Sequence, residues 1–296
     1  MRLSAGIQYV LKKNLMNGHT CLPRNKLLNV TSALLNVEEI SLEMVCDRMI
    51  ESFIVRSKTI NNQDFIALPD LYTAEEYISA RLASICRYNA VDSDINDLEI
   101  DYVENKLGIK FEMFQRTAIK NAFNNGIFVL TGGPGTGKTT TLNAVIELFE
   151  RRDANIMLAA PTGRAAKRMT ELTGREAKTI HRMLEVEWTS DSKHSFLRNE
   201  RNPLECDVLI LDEASMVDSL LFESLLRALK MSCRIIVVGD TDQLPSVSAG
   251  NILNDMLSSE KFASTCLKKV FRQASQSTIV TNAHAIINET EIDFSN

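Results

Sequence analysis

Eight residues, Gly132 to Thr139, constrain the fold of this chain more than any other segment. They read Gly-Gly-Pro-Gly-Thr-Gly-Lys-Thr, which fits the pattern G-x-x-x-x-G-K-[ST], between an apolar run at 126–130 and a helix predicted over 140–149. Glycines let the backbone curl so that several N–H groups point at one centre, and the following helix directs its positive end there. The segment therefore predicts a phosphate-binding loop between a strand and a helix.

The larger, C-terminal part of the chain alternates short apolar runs with helical segments. Strands are predicted over residues 155–160, 207–211 and 234–239, and helices over 163–172 and 218–229. Such alternation is typical of an α/β fold, in which helices cover both faces of a parallel sheet. Functional groups in these sheets lie at the carboxyl ends of the strands, and the polar motifs of this sequence fall there.

Composition excludes several classes of protein. The 296 residues are 45% hydrophobic with a net charge of −5, which excludes a disordered chain and a strongly basic nucleic-acid coat. No apolar run reaches the roughly 18 residues that a membrane helix needs, and residues 1–10 do not resemble a secretory signal. Six cysteines without a C-x-x-C pair fit a reducing compartment, so we expect a cytoplasmic protein with no membrane partner.

Two carboxylates, Asp212 and Glu213, follow the apolar run at 209–211. An acidic pair at a strand end is as often a helix cap, but together with a phosphate-binding loop it favours catalysis. Asp212 would hold Mg²⁺ through water, with the Thr139 hydroxyl as a further metal ligand, and Glu213 would be the general base for water. Lys138 would reach the β- and γ-phosphates of a bound nucleotide. Because a kinase would not need the second carboxylate, the pair favours hydrolysis.

Two further segments carry candidate functional residues. Gln243 follows the predicted strand at 234–239, and a neutral amide there could sense the γ-phosphate; the alternative is an ordinary surface-loop residue. Residues 161–182 carry six basic and two acidic side chains, a strip that fits either a nucleic-acid contact or a solvated helix face.

The N-terminal part of the chain has a different, mainly helical pattern. Helices are predicted over residues 7–15, 23–35, 41–53 and 73–87. Apolar runs at 54–59 and 65–68 flank Asn61-Asn62, which predicts a β-hairpin. Two helices followed by a hairpin resemble a winged helix, which leaves open whether this part binds DNA or only packs.

Taken together, six motifs resemble those of a known protein family. The segments GGPGTGKT, APTGRAAKRM, TIHRML, LILDEASMVD, VVGDTDQLPSVSAG and VFRQ resemble, in this order, the motifs of superfamily 1 helicases. The set is most similar to the RecD-like DNA helicases, in the long form that works without the other two exonuclease V subunits. Residues 18–23 also resemble the end of that form's helix-hairpin-helix region. The resemblance implies a RecA-like P-loop motor, the cofactors ATP and Mg²⁺, single-stranded DNA as partner, and roles in DNA repair and recombination.

The resemblance also assigns roles to individual residues. Gln115 resembles the glutamine that reads adenine, and Arg272 resembles the catalytic arginine that reaches the γ-phosphate. The expected ATP-binding residues are Gln115, Gly133, Pro134, Gly135, Thr136, Gly137, Lys138, Thr139 and Thr140. The expected DNA-binding residues are Pro161, Thr162, Gly163, Arg164, Thr179 and His181. A structural role remains the alternative for His181.

We expect three regions along the chain: a helical domain over 1–105, a RecA-like motor domain over 106–262, and a stub of a second RecA-like domain over 263–296. A hairpin insertion at 185–201 resembles the pin that splits the duplex, or is an ordinary surface hairpin.

The family's later motifs have no counterpart after Arg272, so we expect a fragment that is incomplete at both ends. Its expected partners are single-stranded DNA and the missing C-terminal motor domain, and we expect a monomer. The relatives move 5′ to 3′. The alternatives are an ATP- and DNA-binding module without unwinding activity, and an RNA helicase or relaxase-linked motor of the same superfamily.

Overall fold

The computed structural model describes residues 1–89, 95–188 and 194–271, together with Asn282, Ala285 and Ile286. The chain divides into two compact units. The N-terminal unit contains Met1–Ala80 with the short segments Val217–Glu223 and Pro245–Asn251. The sheet unit contains Arg81–Met216, Ser224–Leu244 and Ile252–Asn296.

The N-terminal unit is built from three helices and a small antiparallel sheet. These elements are α1 Arg2–Leu15, β1 Cys21–Pro23, α2 Arg24–Leu35, α3 Glu39–Glu51, β2 Arg56–Ile60 and β3 Gln63–Ala67. The strand order is β1-β3-β2, and Ile7, Leu27, Leu42 and Ile66 are fully buried between the helices and the sheet. The order α1-β1-α2-α3-β2-β3 resembles that of a winged helix. The sequence patterns predicted its helices and hairpin but not β1.

The turn between β2 and β3 explains why the hairpin was predictable. Asn61 and Asn62 have φ angles of 50° and 60°, the left-handed conformation that both central residues of a type I′ turn require. Asparagine tolerates that conformation better than most side chains do. The register Ile60↔Gln63 therefore follows directly from the two-residue loop.

The outward side of α3 is acidic, which bears on whether this winged helix contacts DNA. Its exposed side chains include Glu39, Glu43, Asp47 and Glu51, four residues apart along one line, whereas Arg48 is the only basic residue of the helix. Phosphates would meet repulsion along this line. The charge pattern therefore favours packing over DNA binding for α3.

A six-stranded, all-parallel sheet forms the centre of the sheet unit, in the order β11-β4-β10-β9-β5-β6. Its strands are β4 Ile127–Gly132, β5 Ile156–Ala160, β6 Ala177–Thr179, β9 Val208–Leu211, β10 Arg234–Gly239 and β11 Ala263–Leu267. Strands β7 Val186–Trp188 and β8 His194–Phe196 form a separate antiparallel hairpin, which lies within the range 185–201 where the sequence predicted one.

Helices surround the sheet. They are α5 Asp97–Leu107, α6 Met113–Asn124, α7 Lys138–Glu150, α8 Gly163–Thr173, α9 Ile180–Met183 and α11 Ile252–Ser258, while α4 Pro69–Tyr88 and α10 Ser219–Arg227 cross the division between the units. All six residues of β4 are buried, as expected for a strand covered on both faces. Phe123 of α6 stacks on Phe149 of α7 with ring centroids 3.9 Å apart. The predicted α/β fold is thus confirmed.

The compact units differ from the predicted domain boundaries at both ends of the motor region. Ile100 and Val103 of α5 lie in the core of the sheet unit, so the division falls at Ala80 and Arg81 rather than at 105. Strand β11 pairs in parallel with β4, from Ala263↔Phe128 to Leu267↔Gly132. Residues 263–267 therefore complete the first sheet, whereas the sequence predicted the start of a second domain there.

Among the residues that the structure describes, no helix combines the length and the apolar character that crossing a membrane requires.

Candidate active site and nucleic-acid interface

The glycine-rich loop connects β4 to α7, as predicted. The Thr136 hydroxyl donates to the Gly133 carbonyl at 2.8 Å, and Lys138 Nζ donates to the carbonyl oxygens of Gly132 and Gly133. Gly137 has φ +85°, and a Cβ there would lie 2.5 Å from Nε2 of Gln115. Its backbone conformation therefore favours glycine, and any side chain there would also displace the Gln115 amide.

Gln115 lies beside this loop and is only 3% exposed. Its Oε1 accepts the Glu112 N–H at 3.0 Å, which completes a capping box at the start of α6. Its Nε2 lies 3.5 Å from the Gly137 carbonyl. The sequence prediction assigned Gln115 only to adenine, whereas the structure also gives it this local role. Because an amide oxygen has two lone pairs, it can accept one more hydrogen bond.

Asp212 and Glu213 directly follow β9. Asp212 Oδ1 accepts the Glu213 N–H at 2.9 Å. Burial raises the pKa of Asp212, although the Glu213 N–H, Lys138 and Arg168 oppose this. Burial and the charge of Asp212 also raise the pKa of Glu213. Glu213 has φ +52°, a conformation that costs a non-glycine residue about 1–3 kcal/mol and is concentrated at functional sites.

The end of β10 brings a third carboxylate to the loop. Asp240 is 2% exposed, and its Oδ2 lies 4.0 Å from Lys138 Nζ. Its Oδ1 accepts the Asp242 N–H at 3.2 Å, and its carbonyl accepts the Gln243 N–H at 3.3 Å. Asp240 therefore shapes the exposed turn that carries Gln243.

One cavity of about 790 Å³ joins these groups. Its lining includes Gln115, loop residues 133–140, Asp212, Glu213 and Gln243, so the structure brings together the predicted nucleotide and catalytic residues that it describes. Arg272 lies outside the described residues. The preceding Phe271 also lines the cavity, and its N–H donates to the Gly135 carbonyl at 3.2 Å.

The predicted DNA-binding residues lie at the carboxyl ends of the neighbouring strands β5 and β6. The Thr162 hydroxyl accepts the Ala165 N–H at 3.2 Å at the start of α8, and the Thr179 hydroxyl accepts the Arg182 N–H at 3.1 Å at the start of α9. Both threonines are thus helix caps. Gly163 and Arg164 are exposed, and Pro161 is partly exposed beside them.

His181 is also exposed and lies near the hairpin. Its ring centroid is 6.0 Å from that of Phe196 in β8. The prediction grouped it with Thr179 at the start of α9, and the structure places the two residues together.

The basic side chains of 161–182 do not form one continuous strip, contrary to the sequence prediction. Arg175 Nη2 is 2.6 Å from Glu150 Oε2 and 3.5 Å from Glu147 Oε2, which leaves its charge neutralised by acidic residues of α7. Arg168 lines the nucleotide cavity. The six basic residues belong to α8, β6, α9 and the loop between α8 and β6, so their number within the segment overstated the strength of any one surface.

Comparison with known proteins shows which proteins the chain resembles. Residues 115–249 match a family described as an AAA domain. The chain is 33% identical over 298 residues to the ATP-dependent RecD2 DNA helicase of Deinococcus radiodurans, and this match covers 97% of this chain and 40% of that protein. It is 40% identical over 178 residues to the RecD subunit of the RecBCD enzyme of Mycolicibacterium smegmatis, covering 52% of this chain and 32% of that subunit. The chain is thus similar to the RecD-like helicases.

The chain of this RecD-like protein spans less than half the length of these two relatives. Among solved structures, the Pif1 helicase from Candida albicans aligns with a TM-score of 0.45 and 24% identity, covering 60% of this chain and 44% of that chain.

Two side chains of the RecD-like site were not among the predicted residues. Asp240 is one of them, although it follows β10 as Asp212 follows β9. This position at a strand end is the signal in the sequence that indicates a functional carboxylate. Arg168 is the other, and in the sequence it is only one of six basic residues within 161–182. Its spacing from the cap Thr162 fixes its direction on α8, but the sequence does not show that this direction meets the cavity.

Proposed function

We propose that this RecD-like chain binds Mg·ATP in the 790 Å³ cavity and hydrolyses it, and that hydrolysis is coupled to movement along single-stranded DNA. The observation that carries the proposal is the convergence of Lys138, Asp212, Glu213 and Asp240 on one glycine-rich loop. Three parallel strands deliver these groups from distant parts of the sequence. A packing role does not require three buried or half-buried carboxylates around one lysine.

Each residue has a role that follows from its position. Backbone N–H groups of Gly133 and residues 135–139, together with the Lys138 amine, bind the phosphates, and the Gly137 conformation keeps the loop close to them. Glu213 accepts a proton from the attacking water, and its raised pKa makes it a stronger base than an exposed carboxylate. Gln243 hydrogen-bonds near the γ-phosphate, and Gln115 uses its remaining hydrogen-bonding capacity on the adenine edge.

The donor set fits Mg²⁺. The Thr139 hydroxyl and the Asp212 carboxylate both line the cavity, and hard oxygen donors of this kind suit this cation. When bound, the cation would neutralise charge on the β- and γ-phosphates. Its charge would also offset the burial that raises the pKa of Asp212.

Single-stranded DNA would lie across the ends of β5 and β6. The exposed N-terminus of α8 presents backbone N–H groups at Gly163 and Arg164, which suit sequence-independent phosphate contacts. Thr179 and His181 extend this surface at the start of α9. The β7–β8 hairpin, near His181, would serve as the pin at the duplex junction.

We further propose that unwinding uses a second RecA-like domain carrying the arginine that Arg272 resembles. Within the described residues there is one parallel sheet of this kind. The proposal includes 5′ to 3′ movement, a monomeric motor in the cytoplasm and a role in DNA repair. An arginine of this type contributes about 10³–10⁵ in rate when it reaches the γ-phosphate.

The test measures ATP hydrolysis by the full chain with and without single-stranded DNA, together with strand displacement on a 5′-tailed duplex. Stimulation by single-stranded DNA would support the motor. ATP and DNA binding without any stimulated hydrolysis would instead support a binding module without motor activity. Single-stranded RNA serves as the matched control for the nucleic acid.

A further inference from the structure

We propose that Glu104, a residue remote from the phosphates, positions the part of the cavity that recognises the nucleotide base. This inference rests on the proposed ATP binding and adds a residue that controls base specificity. Glu104 belongs to α5 and is 2% exposed.

The Glu104 carboxylate gathers three donors. Its Oε1 accepts the Phe111 N–H at 2.9 Å and Nη1 of Arg116 at 2.9 Å, while its Oε2 accepts Lys110 Nζ at 2.6 Å. A buried carboxylate is stable only when it is satisfied in this way. Loss of this carboxylate would leave the buried Phe111 N–H and Nη1 of Arg116 without this acceptor.

Glu104 also fixes both ends of the turn after α5. Gly108 ends the helix with φ +66°, and the Ile109 N–H donates to the Glu104 carbonyl at 3.0 Å. The Phe111 N–H donates to the carboxylate of the same residue. Residues 109–111 line the nucleotide cavity. The side chain and the carbonyl of Glu104 together set the position of the main chain in this segment.

The second connection leads to Gln115. Arg116, its neighbour in the first turn of α6, donates from Nη2 to Asp101 at 2.9 Å and from Nη1 to Glu104. The capping box ties the Gln115 amide to the Glu112 N–H at the start of the same helix. Glu104 therefore holds the two cavity-lining segments on this side, 109–111 and Gln115, in one arrangement.

The phosphate end of the cavity has its own supports beside the 3.5 Å contact between Gln115 Nε2 and the Gly137 carbonyl. Lys138 and the loop at 133–137 are positioned by β4 and α7, and Asp240 by β10. A change at Glu104 should therefore alter recognition of the base and leave phosphate binding intact. This separation is what distinguishes a positioning role from general support of the fold.

The experiment titrates the full chain with Mg·ATP, Mg·GTP and inorganic tripolyphosphate, for wild type, Glu104→Gln and Arg116→Ala. Gln keeps the size of Glu104 but loses the charge, and Arg116→Ala removes the same contact from the other side. We expect ATP affinity to fall about tenfold or more in both variants, since hydrogen bonds to charged groups are among the strong ones. The ratio of ATP to GTP affinity should approach one, and tripolyphosphate affinity should remain that of wild type.

Glu147→Gln is the matched control, because Glu147 is a largely buried carboxylate that is paired with Lys106 and Arg175 and does not line the nucleotide cavity. Its ratio of ATP to GTP affinity should be that of wild type.

Equal losses of affinity for ATP, GTP and tripolyphosphate, or unchanged ATP affinity in Glu104→Gln, would overturn the inference. A wild-type chain that binds tripolyphosphate but does not distinguish ATP from GTP would also overturn it and leave phosphate binding standing. A wild-type chain that binds none of the three would overturn the proposed function as well.

Discussion

Lys138 Nζ lies 4.0 Å from Oδ2 of Asp240, so the cation of the phosphate-binding loop faces a buried carboxylate from a different strand. The carboxylate reduces the positive potential that an anion would meet at the loop. Asp240→Asn should therefore strengthen binding of metal-free tripolyphosphate several-fold, because the amide keeps the shape and removes the negative charge. Titration calorimetry in EDTA would measure this. Asp242→Asn, an exposed neighbour, is the control and should have no comparable effect; weaker binding in Asp240→Asn would contradict the prediction.

Lys138→Ala should weaken ATP binding by at least about tenfold, since a hydrogen bond to a charged group contributes about 1.5–3 kcal/mol. Lys138 now donates to the Gly132 and Gly133 carbonyls, which shows that its amine reaches the centre of the loop. A fluorescent ATP analogue would report the change in affinity. Unchanged affinity would mean that the loop binds phosphates through its backbone alone.

Glu213→Gln should retain ATP binding and lose about 10²–10⁴-fold in turnover, the typical contribution of a general base. The amide preserves the size of the side chain and its unusual backbone conformation but cannot accept the proton. Single-turnover hydrolysis measured beside ATP binding separates the two effects. If DNA-stimulated hydrolysis persists at the wild-type rate, Glu213 is not the base.

Arg164→Ala should weaken binding of single-stranded DNA of every sequence and lower the slope of log affinity against log salt by about one. Arg175→Ala is a matched control from the same segment, because its guanidinium is paired with Glu150 and Glu147. Fluorescence anisotropy at several salt concentrations would compare them. Equal effects of both substitutions would show that the number of positive charges, rather than the position of Arg164, determines binding.

The contribution of Glu104 to stability should depend on pH. Burial acts to raise the pKa of Glu104, but hydrogen bonds from Lys110, Phe111 and Arg116 outweigh it and hold the pKa below its ordinary value. Stability from such a carboxylate is present above the pKa of the unfolded chain and is lost as the pH falls through the folded-state pKa. The difference in Tm between wild type and Glu104→Gln should thus be largest near neutral pH and shrink below about pH 4.

Thermal unfolding followed by circular dichroism would test this pH dependence. Glu176→Gln changes an exposed carboxylate, so its difference in Tm from wild type should not shrink in this way as the pH falls. A Tm difference that stays constant down to pH 3 would contradict the ionised form of Glu104 as the stabilising species.

Local rules were enough to predict several elements of this fold. The loop between β4 and α7 follows from glycines at positions where φ is positive, and the β2–β3 hairpin follows from two asparagines that accept the same conformation. The buried strands β9 and β10 follow from continuous apolar runs, and Asp212 and Glu213 stand where the run of β9 ends. Each of these features depends on the conformational preferences of a few consecutive residues.

Only the tertiary structure decided the features that depend on pairing between distant segments. Strand β11 has a mixed polar pattern, and its place beside β4 comes from ladder hydrogen bonds rather than from its own composition. Asp240 meets Lys138 because the order of the parallel strands places their ends side by side. Glu150 neutralises Arg175 because the end of α7 lies against the loop between α8 and β6. The sequence determined which residues could bind phosphate or accept a proton. Which charges meet depends on strand order. Two charges interact strongly only when a few ångströms separate them, and the assembled sheet brings them to that distance.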